Sequence, residues 1–416
     1  MIYRYRSSRR SFIRAATAGA AGVLAYNWGI LNAGAANEVI VGALYVGPKT
    51  DYGWNQAHAE GVATLKKAGV KVVEEERVPE TIQVAKSMES MIQLDKANLI
   101  FATSFGYWDQ MLKTAEKYPD VQFLHAAPTV WKEGMPKNAG SYNGYIDEAQ
   151  YISGIVAGHA SKSGKLGFVG AKPYPASLRN INSFTLGART VNPKATTQVI
   201  FTGDWVLPVK EAEAVNSLAD QGIDVVTCHV DSPKVVVETA EKRGIFSCGY
   251  HMNQSVLAPK GYLTGAEWNW EKVYADYVQW LREGKQWPHL VRGGLKERIV
   301  RNSPYGKAVS EKARKQADAA HNKFMTGDFV IYKGPIKDNT GKTVIAAGEP
   351  HAQTHVWLES MNGLAGLVAM TALVVMLLGG VARPDWYSRI LGRIGVFLSA
   401  RPNDMVVAGI ARTFQN

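Results

Sequence analysis

Cysteine is nearly missing: 416 residues contain only Cys228 and Cys248. That is too few for a disulfide scaffold or a C-x-x-C metal site. Each closes a short apolar run, 225–228 and 245–248, so both read as buried thiols, with a disulfide open to them in an oxidising compartment. No G-x-G-x-x-G follows the first apolar run and no G-x-x-x-x-G-K-[ST] occurs, which removes nucleotide-phosphate binding of those kinds. H-E-x-x-H and G-x-S-x-G are also missing, and His58, His125, His229 and His251 are too scattered to suggest a metal site. No nucleophile–base pair stands out. The sequence argues against an enzyme and calls for no cofactor.

Acidic residues are scarce at both ends. Residues 1–35 hold five Arg and no acid, and residues 383–416 hold five Arg against two Asp. Of the chain's net +11, only +3 is left for the long centre, so no strong basic field points to nucleic acid. Ser8-Arg9-Arg10-Ser11-Phe12-Ile13-Arg14, the Ala/Gly-rich run 15–25 and the small residues Ala33-Gly34-Ala35 follow the order of a twin-arginine export signal. Residues 1–35 are therefore expected to be a signal peptide. Long apolar runs are rare as well. Residues 364–382 form an uncharged run that would just cross a hydrocarbon core of ~30 Å as a helix. The basic tail 383–416 then falls on the cytoplasmic side. This run reads as an inner-membrane anchor, with a buried terminal helix, a gene fusion or a frameshift as alternatives.

In the centre, apolar runs alternate with helical patterns. Strands are expected at 39–45, 70–74, 99–102, 122–125 and 141–145, and helices at 56–68, 82–94 and 108–117. The second of these helices sets Ile82, Ala85, Met88, Met91 and Ile92 on one face. A second series follows, with strands at 166–169, 197–201, 225–228 and 245–247 and helices at 176–191, 210–221 and 233–243. Helices at 270–283 and 310–325 come next, and then a hairpin, 329–333 with 344–346, about the turn Asp338-Asn339-Thr340-Gly341. Two βαβα series predict two doubly wound parallel-sheet lobes. We expect lobe one at 36–145 with 266–333 returning to it, lobe two at 146–265, and the closing hairpin with the last crossing at 334–362. The three crossings fall near Tyr145, Gly265 and Lys333 and form a hinge.

Aromatic and carboxylate side chains collect where strands end. They include Asp51, Trp54 and Asn55 after the first strand, Phe105 and Gly106 after the third, and Trp205, Asp231, Glu267 and Trp268 in the second half. Parallel strands turn these ends to one edge, so in a two-lobed body they face one another across a cleft. Trp54 and Trp205 are the expected stacking faces, and Asp231, Glu267 and Asn55 the hydrogen-bond partners. Such a set suits a flat nitrogen heterocycle, whose N–H groups need acceptors once desolvated. About half of the tryptophans are expected to be core or hinge packing.

At these residues the chain resembles the basic membrane protein family of ABC-transporter solute-binding proteins, which includes bacterial purine-nucleoside receptors. The resemblance runs over about 38–362 and rests on Asp51-Tyr52-Gly53-Trp54-Asn55-Gln56, Thr103–Tyr107, Tyr145…Tyr151…Gly154…Gly158, Asn182–Ala188, Asp220–Asp224 and Gly334–Asp338. It implies a type I periplasmic binding protein fold, a purine-like ligand, and ABC permease subunits as partners. Asp51, Trp54, Asn55, Phe105, Gly106 and Asp231 stand at the family's ligand positions. The nucleoside receptors' G-x-D-x-D-Q is here Gly249-Tyr250-His251-Met252-Asn253-Gln254, without either carboxylate, and the lysine those receptors use soon afterwards is missing too. These departures imply a free purine base or a related ring rather than a nucleoside. A membrane-tethered ligand sensor using the same cleft is the alternative.

Overall fold

The computed structural model describes residues 38–126, 131–337 and 343–348. The first lobe is a sheet of β1 (Ile40–Leu44), β2 (Lys71–Glu75), β3 (Leu99–Ala102), β4 (Gln122–Ala126) and β5 (Ala139–Gly144), joined at its edge by β11 (Leu290–Gly293). Every pairing is parallel and the order is β11-β5-β4-β3-β1-β2. All four residues of β3 are buried, as a parallel sheet covered on both faces requires. The connecting helices are α1 (Trp54–Lys67), α2 (Ile82–Gln93) and α3 (Trp108–Lys117). Thr81 caps α2 by accepting the Gln83 N–H. Its buried face is Val84, Ser87, Met88 and Met91. Ile82, expected inside, is 59% exposed because it stands in the first turn, ahead of the sheet it would cover.

The second lobe repeats the plan with β6 (Lys165–Gly170), β7 (Thr196–Phe201), β8 (Val225–His229), β9 (Phe246–His251) and β10 (Tyr262–Trp268). Its helices are α4 (Ile146–Ala160), α5 (Pro175–Arg189), α6 (Pro208–Asp220) and α7 (Lys234–Arg243). An antiparallel strand, β12 (Val300–Asn302), pairs with Ala266–Trp268 and completes the order β12-β10-β9-β8-β6-β7. α4 is buried from Ile146 to Gly158. It meets α5 backbone to backbone: a Cβ added at Gly154 would lie 2.0 Å from the Phe184 carbonyl oxygen, and one at Gly187 2.0 Å from that of Tyr151.

Three segments cross between lobes. Tyr145 joins β5 to α4, and Asn269 joins β10 to α8 (Trp270–Arg282), which packs on α1 of the first lobe. The third crossing, 294–299, joins β11 to β12. Backbone bonds tie the crossings together: Tyr145 N–H to Gly293 O, 2.8 Å, and Asn269 N–H to Ile299 O, 2.8 Å. The strand pairing therefore moves the third crossing from the expected Lys333 to 294–299. Residues 300–333 belong with the second sheet, where α9 (Glu311–Thr326) packs on α4. The short strands of this region, β11 and β12, carry too little periodicity to be seen in sequence. The closing hairpin pairs β13 (Ile336–Lys337) with β14 (Thr343–Ile345), so its first arm is not 329–333, and its turn lies outside the described residues. Cys228 and Cys248 are both buried and free. The twin-arginine segment and the apolar run 364–382 also lie outside the described residues, among which no helix is long and apolar enough to cross a membrane.

Candidate functional site in the interlobe cleft

The loop between β1 and α1 is framed by its own side chains. Asp51 Oδ1 accepts the N–H groups of Gly53 and Gln56, and Oδ2 accepts the Asn55 N–H and the Asn55 side-chain amide at 2.8 Å. Asn55 Oδ1 in turn accepts the Gly47 N–H at 3.0 Å. Asp51 and Asn55, expected as ligand contacts, spend their capacity on holding this loop, a capping arrangement for α1. The frame aims Tyr52, Gly53 and Trp54 at the second lobe. Trp54 N–H donates to Asp231 O (2.8 Å), Ser232 Oγ to Asp51 O (2.8 Å) and Gln254 Nε2 to Tyr52 O (2.7 Å). Lys234 Nζ lies 5.7 Å from the Tyr52 ring centre. These contacts close the lobes on one another. Gly53 is required for them, since a Cβ there would lie 1.9 Å from Asp231 O.

Trp54 is walled by rings. His58, His251, Trp268 and Trp270 meet it edge to face, at centroid distances of 4.6, 5.5, 5.9 and 6.3 Å, and its indole N–H donates to Thr103 O. Trp268 stacks on Trp270 at 4.8 Å. His251 accepts the Trp268 indole N–H at Nδ1 (2.8 Å), and its Nε2–H donates to Val230 O (3.1 Å). Burial holds it neutral, with a pKa well below the usual imidazole range. Its φ of 74° is one that non-glycine residues seldom adopt, and the two hydrogen bonds hold it there. Where the nucleoside receptors' pattern has a carboxylate, this chain has a structural link. Asn253, at the other lost carboxylate, caps the Ser255 N–H.

The second lobe supplies a wall of rings and polar groups. Trp205, half-buried, stacks on Tyr174 at 5.7 Å and lies 5.8 Å from His229. Lys172 sits 5.8 Å from the Trp205 ring centre and pairs with Asp204 at 2.7 Å. Behind them the Asn180 amide donates to His229 Nδ1 (3.0 Å) and to Tyr250 OH (2.9 Å), and Asn180 Oδ1 is buried with no partner among the described residues. Burial, aided by the Arg179 cation, pushes His229 down to about 3, so it is a neutral ring at all ordinary pH.

Asp231 stands between the lobes. Burial, and then the carboxylates of Asp51, Glu80, Asp204 and Glu211, hold its pKa well above 3.8, its ordinary value. Its carboxyl accepts no hydrogen bond among the described residues. Two of those carboxylates, Asp51 and Glu80, come from the opposite lobe, so closure itself raises this pKa. A group raised in the closed state favours closure fully below its ordinary pKa, and that contribution is lost as pH rises through the raised value. The ligand-free protein is thus expected to be closed in acid and to open as pH rises through that raised value. Small-angle scattering should show its radius of gyration growing over that range, and Asp231→Asn should flatten the curve. A wild-type radius independent of pH contradicts this.

The remaining expected residues scatter. Phe105 is 68% exposed on the first lobe's rim. Gly106 N–H donates to Glu80 Oε1 at 2.8 Å, and Ser104 Oγ donates to the same oxygen. Glu267 is engaged within the second lobe: Arg301 Nε holds one oxygen at 2.9 Å and Ser303 the other, and Arg301 also pairs with Glu271. Tyr174, Asn180 and Tyr250 were not singled out from the sequence. Tyr250 is the penultimate residue of β9, and a strand-end rule applied to every polar aromatic would have found it. Asn180 sits mid-helix, where nothing local marks it.

The sequence pattern of the family described as ABC transporter substrate-binding protein, PnrA-like (Bmp), matches residues 38–334. The chain belongs to the Bmp family. It is 34% identical over 332 residues to a purine-binding protein of Brucella abortus, covering 79% of this chain and 93% of the relative. It is 31% identical over 301 residues to a putative ABC transporter glucose-binding protein of Haloferax volcanii, covering 70% and 73%. In fold it is similar to an ABC transporter solute-binding protein of Conexibacter woesei, with a TM-score of 0.60 at 21% identity over 70% of this chain and 97% of the other. This Bmp protein therefore has the type I periplasmic binding protein fold and is an ABC transporter substrate-binding protein, a receptor class rather than an enzyme class.

Proposed function

We propose that the protein is an extracytoplasmic receptor, exported by the twin-arginine route, that closes on a purine base or related small nitrogen heterocycle and delivers it to an ABC permease. It has no catalytic role in this reading. The observation that carries it is Asp231, a carboxyl group without a donor among the described residues, whose backbone N–H donates to the carbonyl of Trp205, the residue that stacks on Tyr174 and adjoins the neutral His229. A flat ring with N–H groups supplies both a face for Trp205 and donors for Asp231, and its arrival relieves the repulsion from Asp51 and Glu80. The Brucella relative's name supports the same class of ligand. A base is favoured over a nucleoside because His251 has both ring nitrogens engaged and Asn253 Oδ1 is spent on Ser255. The ligand set we propose is Trp205, Tyr174, His229, Asn180 and Asp231, with Phe105 and Trp54 from the first lobe.

The test is Trp205→Ala. Loss of a ring stack should weaken adenine or hypoxanthine binding by at least ~1 kcal/mol, about fivefold, in calorimetry. Unchanged affinity removes Trp205 from the site.

A further inference from the structure

The first lobe carries a cavity of about 620 Å³ lined by Gln122, Trp131, Lys137, Leu281 and residues 284–287 and 289. Gln122 opens β4 and His289 immediately precedes β11, so the cavity lies at the N-terminal edge of the parallel sheet, opposite the edge that forms the cleft. In the described part of the β4–β5 connection there is no helix. The sheet is covered there by Trp131, Trp287 and His289.

These rings are fixed before any ligand arrives. Trp287 is 7% exposed and lies on Gly140, where a Cβ would come within 2.6 Å of the indole. Its N–H donates to Gln122 Oε1 at 3.2 Å. His289 Nδ1–H donates to Ala139 O at 2.9 Å, and the Trp131 N–H donates to Pro136 O at 3.1 Å. Trp131 and His289 stack at 4.1 Å and 8°, with Trp287 edge-on to His289 at 5.1 Å. No lining residue is acidic. Lys285 is paired with Glu283 at 2.7 Å, whereas Lys137 makes no ion pair among the described residues. The volume is that of a small-molecule site, which usually spans about 300–1,000 Å³.

We propose that this cavity is a second binding site, for a planar aromatic acid. The ring lies against the Trp131–Trp287–His289 surface and its anionic group pairs with Lys137. The sign of charge separates the two sites: the cleft gathers carboxylates around Asp231, and this cavity presents cations and no acid. The inference is independent of what the cleft binds.

The probe is 8-anilinonaphthalene-1-sulfonate, titrated by fluorescence into the full-length chain. We expect saturable binding of one equivalent, weakened at least tenfold by Lys137→Glu, at an exposed position, and by Trp131→Ala, at a half-buried one, with unchanged thermal midpoints. Trp205→Ala should titrate like the unsubstituted chain. Non-saturable binding, affinity unchanged in both cavity variants, or loss of binding in Trp205→Ala overturns the proposal.

Discussion

Gly53→Ala is expected to weaken cleft binding by roughly five- to a hundredfold while leaving the ligand-free protein's stability nearly unchanged. The added Cβ would meet the Asp231 carbonyl oxygen at 1.9 Å. That oxygen also accepts the Trp54 N–H, the central one of the three hydrogen bonds between the loop and the second lobe. Backbone cannot swing aside as a side chain would, so the lobes must stay apart or shift. Overpacking of this kind costs about 1–3 kcal/mol, and each 1.4 kcal/mol is tenfold in affinity. The cost falls only on the closed state, because Gly53 touches Asp231 only when the lobes meet. Ligand and closure are linked, so a penalty on closure appears in full as lost affinity. Calorimetry should show the loss, and scattering should show a liganded protein that no longer contracts. Wild-type affinity would mean that this contact is not part of the bound state.

The second large effect concerns the scaffold. Gly154→Val should lower the free energy of unfolding by about 3 kcal/mol or more. Helix propensity alone predicts a slight gain, since valine is a better helix former than glycine. Packing decides the sign. Gly154 faces the Phe184 carbonyl at 2.0 Å from an added Cβ, and Gly187 faces that of Tyr151 at the same distance, so any side chain drives α4 and α5 apart along their contact. α4 is buried over nearly its whole length and also borders β10 and α9, so it has nowhere to retreat. Urea denaturation checks this. A midpoint equal to wild type would show that the helices can separate at little cost.

Much of the fold was legible because its signals are local. Apolar runs buried on both faces marked strands such as Leu99–Ala102, and helical spacing marked Trp108–Lys117, both to the residue. The third crossing was not legible, because β11 and β12 have four and three residues and are defined only by their partners. For the cleft, the rule that strand ends meet at one edge brought Trp54, Trp205 and Asp231 together in sequence. The same rule does not say which of these side chains is open to a ligand. Asp51, Asn55 and Glu267 have the right chemistry, but whether a carboxylate is open to a ligand depends on which N–H groups reach it first, and pairs such as Glu267–Arg301 are set by strand pairing.

The central claim is that the cleft takes a purine base. Calorimetric titration of the purified protein with adenine, hypoxanthine, guanosine and glucose tests it most directly. The account predicts one-to-one binding of a base, weaker binding of guanosine and none of glucose. Saturable binding of glucose with no heat from any purine would contradict it.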